Sequence, residues 1–365
     1  MDRFLVAHTS AAHSQEALQA CLVQLGEVPA EANIGFVYAT DECAGDLAGM
    51  LRLLKEHTGV EHWIGTVGMG ICANTREYYD VPALAVMVGA LPPEAFTVIH
   101  NGEDLPAASD TDGVRVAIVH GDPRNGQLPG LIEELPERLG NGYLIGGLTS
   151  SETYFYQVAD DITEGQLSGL ILDDQVSVVT GLSQGCTPIS PVHEVTECQR
   201  NIAVRIDDRP ALDVFYEDIG EILARDLSRV AGYIFAGFPV RGADNGDYLV
   251  RNLVGIDPNN RLLAVGDHLH SGEPIMFCRR DGQTAVEDLQ RMVSDVKGRL
   301  SGPAKGAVYY SCVGRGRSLF GEDSEELRLI ADALGDDVPL VGFYANGEIS
   351  GNRLYGYTGV LTLFQ

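Results

Sequence analysis

Apolar runs and amphipathic stretches alternate along most of the chain, and their order repeats. Residues 34–38 ("IGFVY") form an apolar run, followed by an acidic turn. A segment then carries Leu47, Met50, Leu51 and Leu54 on one face, and "HWIGTVGMG" comes next. The order returns in "VRVAIVHGD" (114–122), a helical pattern with Leu128, Leu131, Ile132 and Leu135, and "YLIGGLTSS" (143–151). It returns a third time in "AVYYSC" (307–312), a helix with Leu327, Ile330, Ala331 and Leu334, and "PLVGFYANGE" (339–348). Runs of period two beside stretches of period 3.6 predict strand, helix, strand in each copy. A further strand follows each: "ALAVMVGAL", "SGLILDD" and "YTGVLTLF". The expectation is an α/β (mixed α+β) protein of repeated strand–helix–strand units, its mixed sheets covered by helices.

The amino terminus reads as a strand near Phe4–Ala7 and a helix with Ala17, Leu18, Cys21, Leu22 and Leu25 on one face. Pro129 is tolerated early in the second repeat's helix, whereas Pro136 should kink or end it. Between the second and third copies the pattern changes. "HEVTECQRNIAVRID" (193–207) reads as two strands, residues 209–227 as a helix, and residues 248–281 as strands joined by a "DPNN" turn. With 365 residues, two domains are expected, divided between Pro188 and Leu227.

Charge narrows the partners. The 52 acidic residues against 25 basic ones give a net charge of −27. Such a chain is repelled by phosphate backbones and anionic lipids, so neither nucleic acid nor membrane is expected as a partner. No apolar run reaches the roughly 20 residues of a membrane span. The start lacks a secretory pattern. The seven cysteines are odd in number and scattered, with no Cys-x-x-Cys. That pattern predicts a reducing, cytoplasmic setting.

Candidate chemistry concentrates in "CVGRGRSLFG" (312–321). Its glycines match neither a dinucleotide fingerprint nor a P-loop, and no lysine follows. Arg315 and Arg317 on a flexible turn suit a carboxylate or another small anion, or else pair with "EDSEE" (322–326). Cys312 has no histidine nearby in sequence, so a buried residue at a strand end is favoured over a nucleophile. The corresponding loops offer Gly147, Thr149 and Ser150, and Asn346 and Glu348, whose backbone, hydroxyl, amide and carboxylate groups suit a polar ligand or simple turns. His268 and His270 fall on one side of a strand without a third ligand, so no metal is expected. A histidine such as His120 or His193 as a haem ligand is a second option beside a structural role.

These segments resemble the FIST family, in a tandem FIST N and FIST C arrangement. The resemblance rests on "LIGGLTSS", "GLSQGCTPISPVHEVTECQRNIAVRIDDRPALDVF", "FCRRD" and "VYYSCVGRGRSLFG…LVGFYANGEISG…YGYTGVLTLF". It implies an intracellular sensory module of signal transduction that binds a small ligand, with amino acids among those suggested. It places the division near residue 218, giving domains at 1–218 and 219–365. Some relatives are fused to output domains. Here a separate signalling partner is the expectation. The first reading is therefore a cytoplasmic, non-catalytic protein binding a small polar molecule. Arg315 and Arg317 would hold its acidic group and Asn346 and Glu348 its polar or amino group. A haem-based nitric oxide or gas sensor is the second reading, and a cysteine-dependent enzyme the third.

Overall fold

The computed structural model describes residues 1–101, 115–224, 227, 230–240, 247–335 and 337–365. The chain forms two compact units. One comprises residues 1–183 and 286–365, the other residues 184–285.

The first unit consists of the three repeats. In repeat one, Ile34–Thr40 runs parallel to His62–Gly68, with the helix Leu47–Thr58 between them. In repeat two, Val116–Gly121 runs parallel to Tyr143–Leu148 around the helix Leu128–Arg138. In repeat three, Gly306–Cys312 runs parallel to Leu340–Ala345, with Glu325–Leu334 as the crossover helix. Each first strand also takes an antiparallel neighbour from its own repeat: Ala83–Gly89, Leu167–Leu172 or Thr358–Phe364. Pro136 sits in the last turn of its helix, which ends two residues later at Arg138.

Each repeat also contributes a β-hairpin, and none of the three pairs with its own repeat. Gly70–Ala73 of repeat one lies on Leu340–Ala345 of repeat three. Tyr156–Ala159 of repeat two lies on His62–Gly68 of repeat one. Glu348–Gly351 of repeat three lies on Tyr143–Leu148 of repeat two. The exchange is cyclic. It gives three six-stranded sheets of the same strand arrangement, each completed at the far edge by Leu5–Ser10, Phe96–Ile99 or Val178–Gln184. Every second strand would otherwise leave an unpaired row of N–H and C=O groups, and the neighbour's hairpin covers it.

Side chains alternate between two faces. The inner faces of the three sheets share one core containing Phe36, Ile64, Ile118, Ile145, Val308, Val341 and Phe343. The outer faces carry the helices, as where Leu18, Leu47 and Leu54 pack with Trp63. One glycine marks the same place in every repeat. A Cβ on Gly65, Gly146 or Gly342 would lie 1.7, 1.8 or 1.7 Å from the carbonyl oxygen of Val37, Val119 or Tyr309, its partner in the parallel pair.

The second unit interrupts repeat three, between its edge strand Val178–Gln184 and Gly306–Cys312. Its sheet closes on itself, because Ile234–Pro239 pairs with both Tyr248–Asp257 and Glu273–Arg280. Inside it, Phe215 of the helix Ala211–Ala224 meets Phe277 with ring centroids 4.9 Å apart. Gly220, at φ 76°, breaks that helix.

Candidate functional site

The glycine register makes Tyr38, His120 and Tyr310 equivalent, each one residue beyond the glycine's partner. All three are fully buried and converge. The Tyr38 hydroxyl meets His120 Nε2 at 3.2 Å and the Tyr310 hydroxyl at 2.8 Å. Phe343 stacks on Tyr38 at 5.6 Å. Burial alone pushes His120 down to about 3, so the ring is neutral there.

At the carboxyl ends of the strands the repeats diverge. Two residues further on stand Thr40, Asp122 and Cys312. Thr40 donates to the Val81 carbonyl at 2.7 Å, and Asp122 accepts the Gly165 N–H at 2.9 Å. Each thereby braces the turn into its third strand. Cys312 accepts the Gly314 N–H through sulfur at 3.4 Å. On the exchanged hairpins, the register makes Ile71, Gln157 and Glu348 equivalent. Gln157 donates to Thr149 Oγ1 at 2.8 Å, which in turn lies 2.6 Å from Thr66 Oγ1.

Glu348 is fully buried. One of its oxygens accepts the Thr358 N–H at 3.1 Å and hydroxyl at 2.8 Å. The other, Oε1, has no partner at hydrogen-bond geometry among the described residues, although the Cys312 thiol lies close enough to favour the charged form. Burial pushes the carboxyl up to about 8, against the opposing hydrogen bonds from Thr358 and the charge of Arg315. The Cys312 thiol beside it is pushed well above its ordinary value, first by burial and then by Glu348. That is the reverse of an activated nucleophile.

The structure brings six of the expected residues together. Gly147 pairs with Glu348, and its Cβ would fall 2.6 Å from that of Ala345, the partner of Cys312. The exposed Asn346 donates its backbone N–H to the Leu148 carbonyl at 2.9 Å. Ser150 donates to the Tyr344 carbonyl and accepts the Met69 N–H at 3.0 Å, joining all three repeats. The hydroxyls of Thr149 and Ser150 are thus spent inside the protein.

The two arginines are engaged with other partners. Arg315 is fully buried and pairs with the equally buried Glu326 at 2.8 Å, while its remaining N–H groups reach Ser183. Glu326 also accepts from Tyr309 at 2.6 Å, from Ser311 and from the Gly316 N–H at 2.9 Å. Arg315 therefore anchors the loop and is not open to a ligand anion, because it is fully buried and its charge is paired with Glu326. Arg317 lies on the surface, 2.6 Å from Asp80 and over the Tyr79 ring at 4.4 Å. Glu326 was hidden within "EDSEE", where only its helical face distinguishes it from its solvated neighbours.

A haem does not fit the two histidines considered for it. His120 is wedged among Tyr38, Tyr310 and Phe343, with ring centroids 5.6–5.7 Å away. His193 has both nitrogens on carboxylates, Asp207 at 2.6 Å and Asp218 at 2.9 Å. Among the described residues, no three His, Cys, Asp or Glu side chains gather as metal ligands would. None of the seven cysteines forms a disulfide. No helix among the described residues is long and apolar enough to cross a membrane.

The chain is similar to the uncharacterized protein Rv0628c of Mycobacterium tuberculosis (strain ATCC 25618 / H37Rv), at 31% identity over 98% of this chain and 95% of that protein. It is also similar to the uncharacterized protein Mb0898c of Mycobacterium bovis, at 28% identity over 93% and 91%. Residues 33–209 match the FIST N domain and residues 211–351 the FIST C domain. With both domains in tandem over most of its length, the chain belongs to the FIST family, whose domains are sensory domains of signal transduction.

Proposed function

We propose that this protein is a non-catalytic sensory protein that binds a small polar ligand at the carboxyl-terminal ends of the strands of repeats two and three, with Glu348 as the recognising group. One observation carries the reading. The fold fills the position of Glu348 with Ile71 in one repeat and with the neutral Gln157 in another, so packing does not require a carboxyl there. A buried carboxyl with an open oxygen is unfavourable for stability, and such groups gather at functional sites. A ligand that donates a hydrogen bond, an amino acid's ammonium group included, would satisfy Oε1. Asn346 stands exposed at the same strand ends. The ligand's acidic group is left to backbone N–H groups, since Arg315 is engaged with Glu326.

The raised pKa of Cys312 supports binding over catalysis. Seven cysteines outside any disulfide support a reducing, cytoplasmic setting, from which the signal passes to a separate protein partner. Native mass spectrometry of the purified protein would identify a retained small molecule, and titration calorimetry would give its affinity. Glu348→Ile, which copies repeat one, should leave the fold intact and weaken binding at least tenfold. Unchanged affinity in that variant would overturn the assignment.

A further inference from the structure

We propose that Glu77 is a proton-operated clasp: its carboxyl holds the hairpin of repeat one against repeat three while protonated, and loosens it on ionising beside Glu326. The argument starts from the hairpin exchange. Gly70–Ala73 pairs with Leu340–Ala345, and Arg76–Tyr79 forms the free edge beyond it. Glu77 stands opposite Cys72. The corresponding residues of the other two hairpins are Ile162, opposite Val158, and Leu354, opposite Ile349. The architecture therefore takes an apolar side chain at this position twice and a carboxyl once.

The surroundings of that carboxyl are unusual. Both of its oxygens and the hydroxyls of Tyr79 and Tyr344 are buried and, among the described residues, have no partner within ordinary hydrogen-bond geometry, so four such atoms fall in one cluster. The rings of Tyr79 and Tyr344 lie 4.9 Å apart. The loop of repeat three closes over them. A Cβ on Gly316, at φ +48°, would fall 2.1 Å from the Tyr79 hydroxyl oxygen. The Glu77 backbone N–H donates to Ser324 Oγ at 3.0 Å, immediately before the helix that carries Glu326.

The charged and titratable groups facing the cluster are few. Cys72 and Tyr79 come from the hairpin itself. Tyr309, Tyr344 and Glu326 come from repeat three, where Arg315 is already paired with Glu326. Arg317 presents its backbone N–H to the carboxyl and sends its guanidinium outward to Asp80. Every side chain and backbone group bonded to Glu326 is a donor. A proton entering between the two carboxyls therefore falls to Glu77, where it can bond to either tyrosine oxygen. Burial, and then Glu326, push Glu77 up to about 7, against the Tyr344 and Tyr79 hydroxyls and the Arg317 N–H, which favour the ionised form. Without the proton, two negative groups face each other across the hairpin's docking surface.

The sign follows by linkage. A carboxyl raised from 4.5 to about 7 in the docked state contributes fully below the lower value, and its contribution is lost as pH rises to the upper one. Amide hydrogen exchange, corrected for its intrinsic pH dependence, reads the opening of residues 70–79 directly. In the intact protein, exchange of this hairpin should quicken about tenfold between pH 5 and 8, well within what a shift of this size permits. The hairpin at residues 156–164 should show no such change. Glu77→Gln should remove the pH dependence. If that variant fails to fold, Glu77→Leu, which copies Leu354, serves in its place and should stay closed throughout. Carboxyl-carbon NMR of Glu77 should titrate near pH 7. Equal pH dependence in the wild type and the variant, the same slope in the hairpin at 156–164, or titration of Glu77 near 4.5 would overturn the proposal.

Discussion

The hydroxyls of Tyr38 and Tyr310 hydrogen-bond at 2.8 Å across 272 residues of sequence. They occupy the same position in the first parallel strand of two repeats, and His120 fills that position in the third. This polar contact at the centre of an apolar core fixes how the repeats meet. Tyr38→Phe removes both the bond to Tyr310 and the partner of His120 Nε2, and should cost about 1–3 kcal/mol. Tyr310→Phe should cost less, because Tyr38 keeps His120. Urea unfolding of the two variants checks the order. The reverse order would mean that Tyr38 is not the organising member.

Gly65→Ala, Gly146→Ala and Gly342→Ala should each destabilise the protein by about 3 kcal/mol or more, since the added carbon meets backbone that cannot move aside. The three should behave alike. Gly130→Ala lies in an exposed helical turn with nothing within 4 Å, and should instead stabilise by about 0.5–1 kcal/mol. Thermal melting compares all four.

Arg315 and Arg317, two residues apart, should differ sharply. Arg315→Ala leaves Glu326 buried and unpaired, which should cost about 3–5 kcal/mol. Arg317→Ala loses a surface pair, and should cost less than about 1 kcal/mol. Comparable losses in chemical denaturation would contradict the anchoring role of Arg315.

Glu348 should make stability fall with rising pH. Its carboxyl is raised from 4.5 to about 8 in the fold, so the folded state holds more protons between those values. The slope should approach 1.4 kcal/mol per pH unit at most, roughly the value of one proton. Subtracting denaturation curves of Glu348→Gln from those of the wild type at pH 5, 6, 7 and 8 isolates it from Glu77, which acts in the same direction. A flat difference would mean that the carboxyl is not shifted.

Cys312 should react slowly with iodoacetamide at neutral pH, more slowly than the partly exposed Cys198, because burial and Glu348 both oppose its thiolate. Peptide mapping of the alkylated protein gives both rates. Faster labelling of Cys312 would reopen the enzymatic reading.

The sequence by itself determined the local architecture. Periodicity depends on neighbouring residues alone, so the strands at residues 34–40, 116–121 and 306–312, their helices and their glycine-ended partners were all legible. It also brought out Gly147, Asn346, Glu348 and Cys312 as one neighbourhood, because each follows a strand whose place in a repeat was readable. What only the tertiary structure decided was which repeat each hairpin joins. The hairpins carry no partner-specific signal, and pairing within a repeat or with the next one satisfies the same backbone groups. The fates of Arg315 and Glu326 were equally out of reach. A charged side chain in a glycine-rich loop is normally solvated, and only the packing of the loop and its helix on the outer face of one sheet, beside Tyr309, Ser311 and Ser183, makes burying that pair feasible. Likewise, a glutamate after a strand carries no mark of an open oxygen. That property comes from Thr358, which satisfies one side of the carboxyl, and from the fold around it, which leaves the other side unmet.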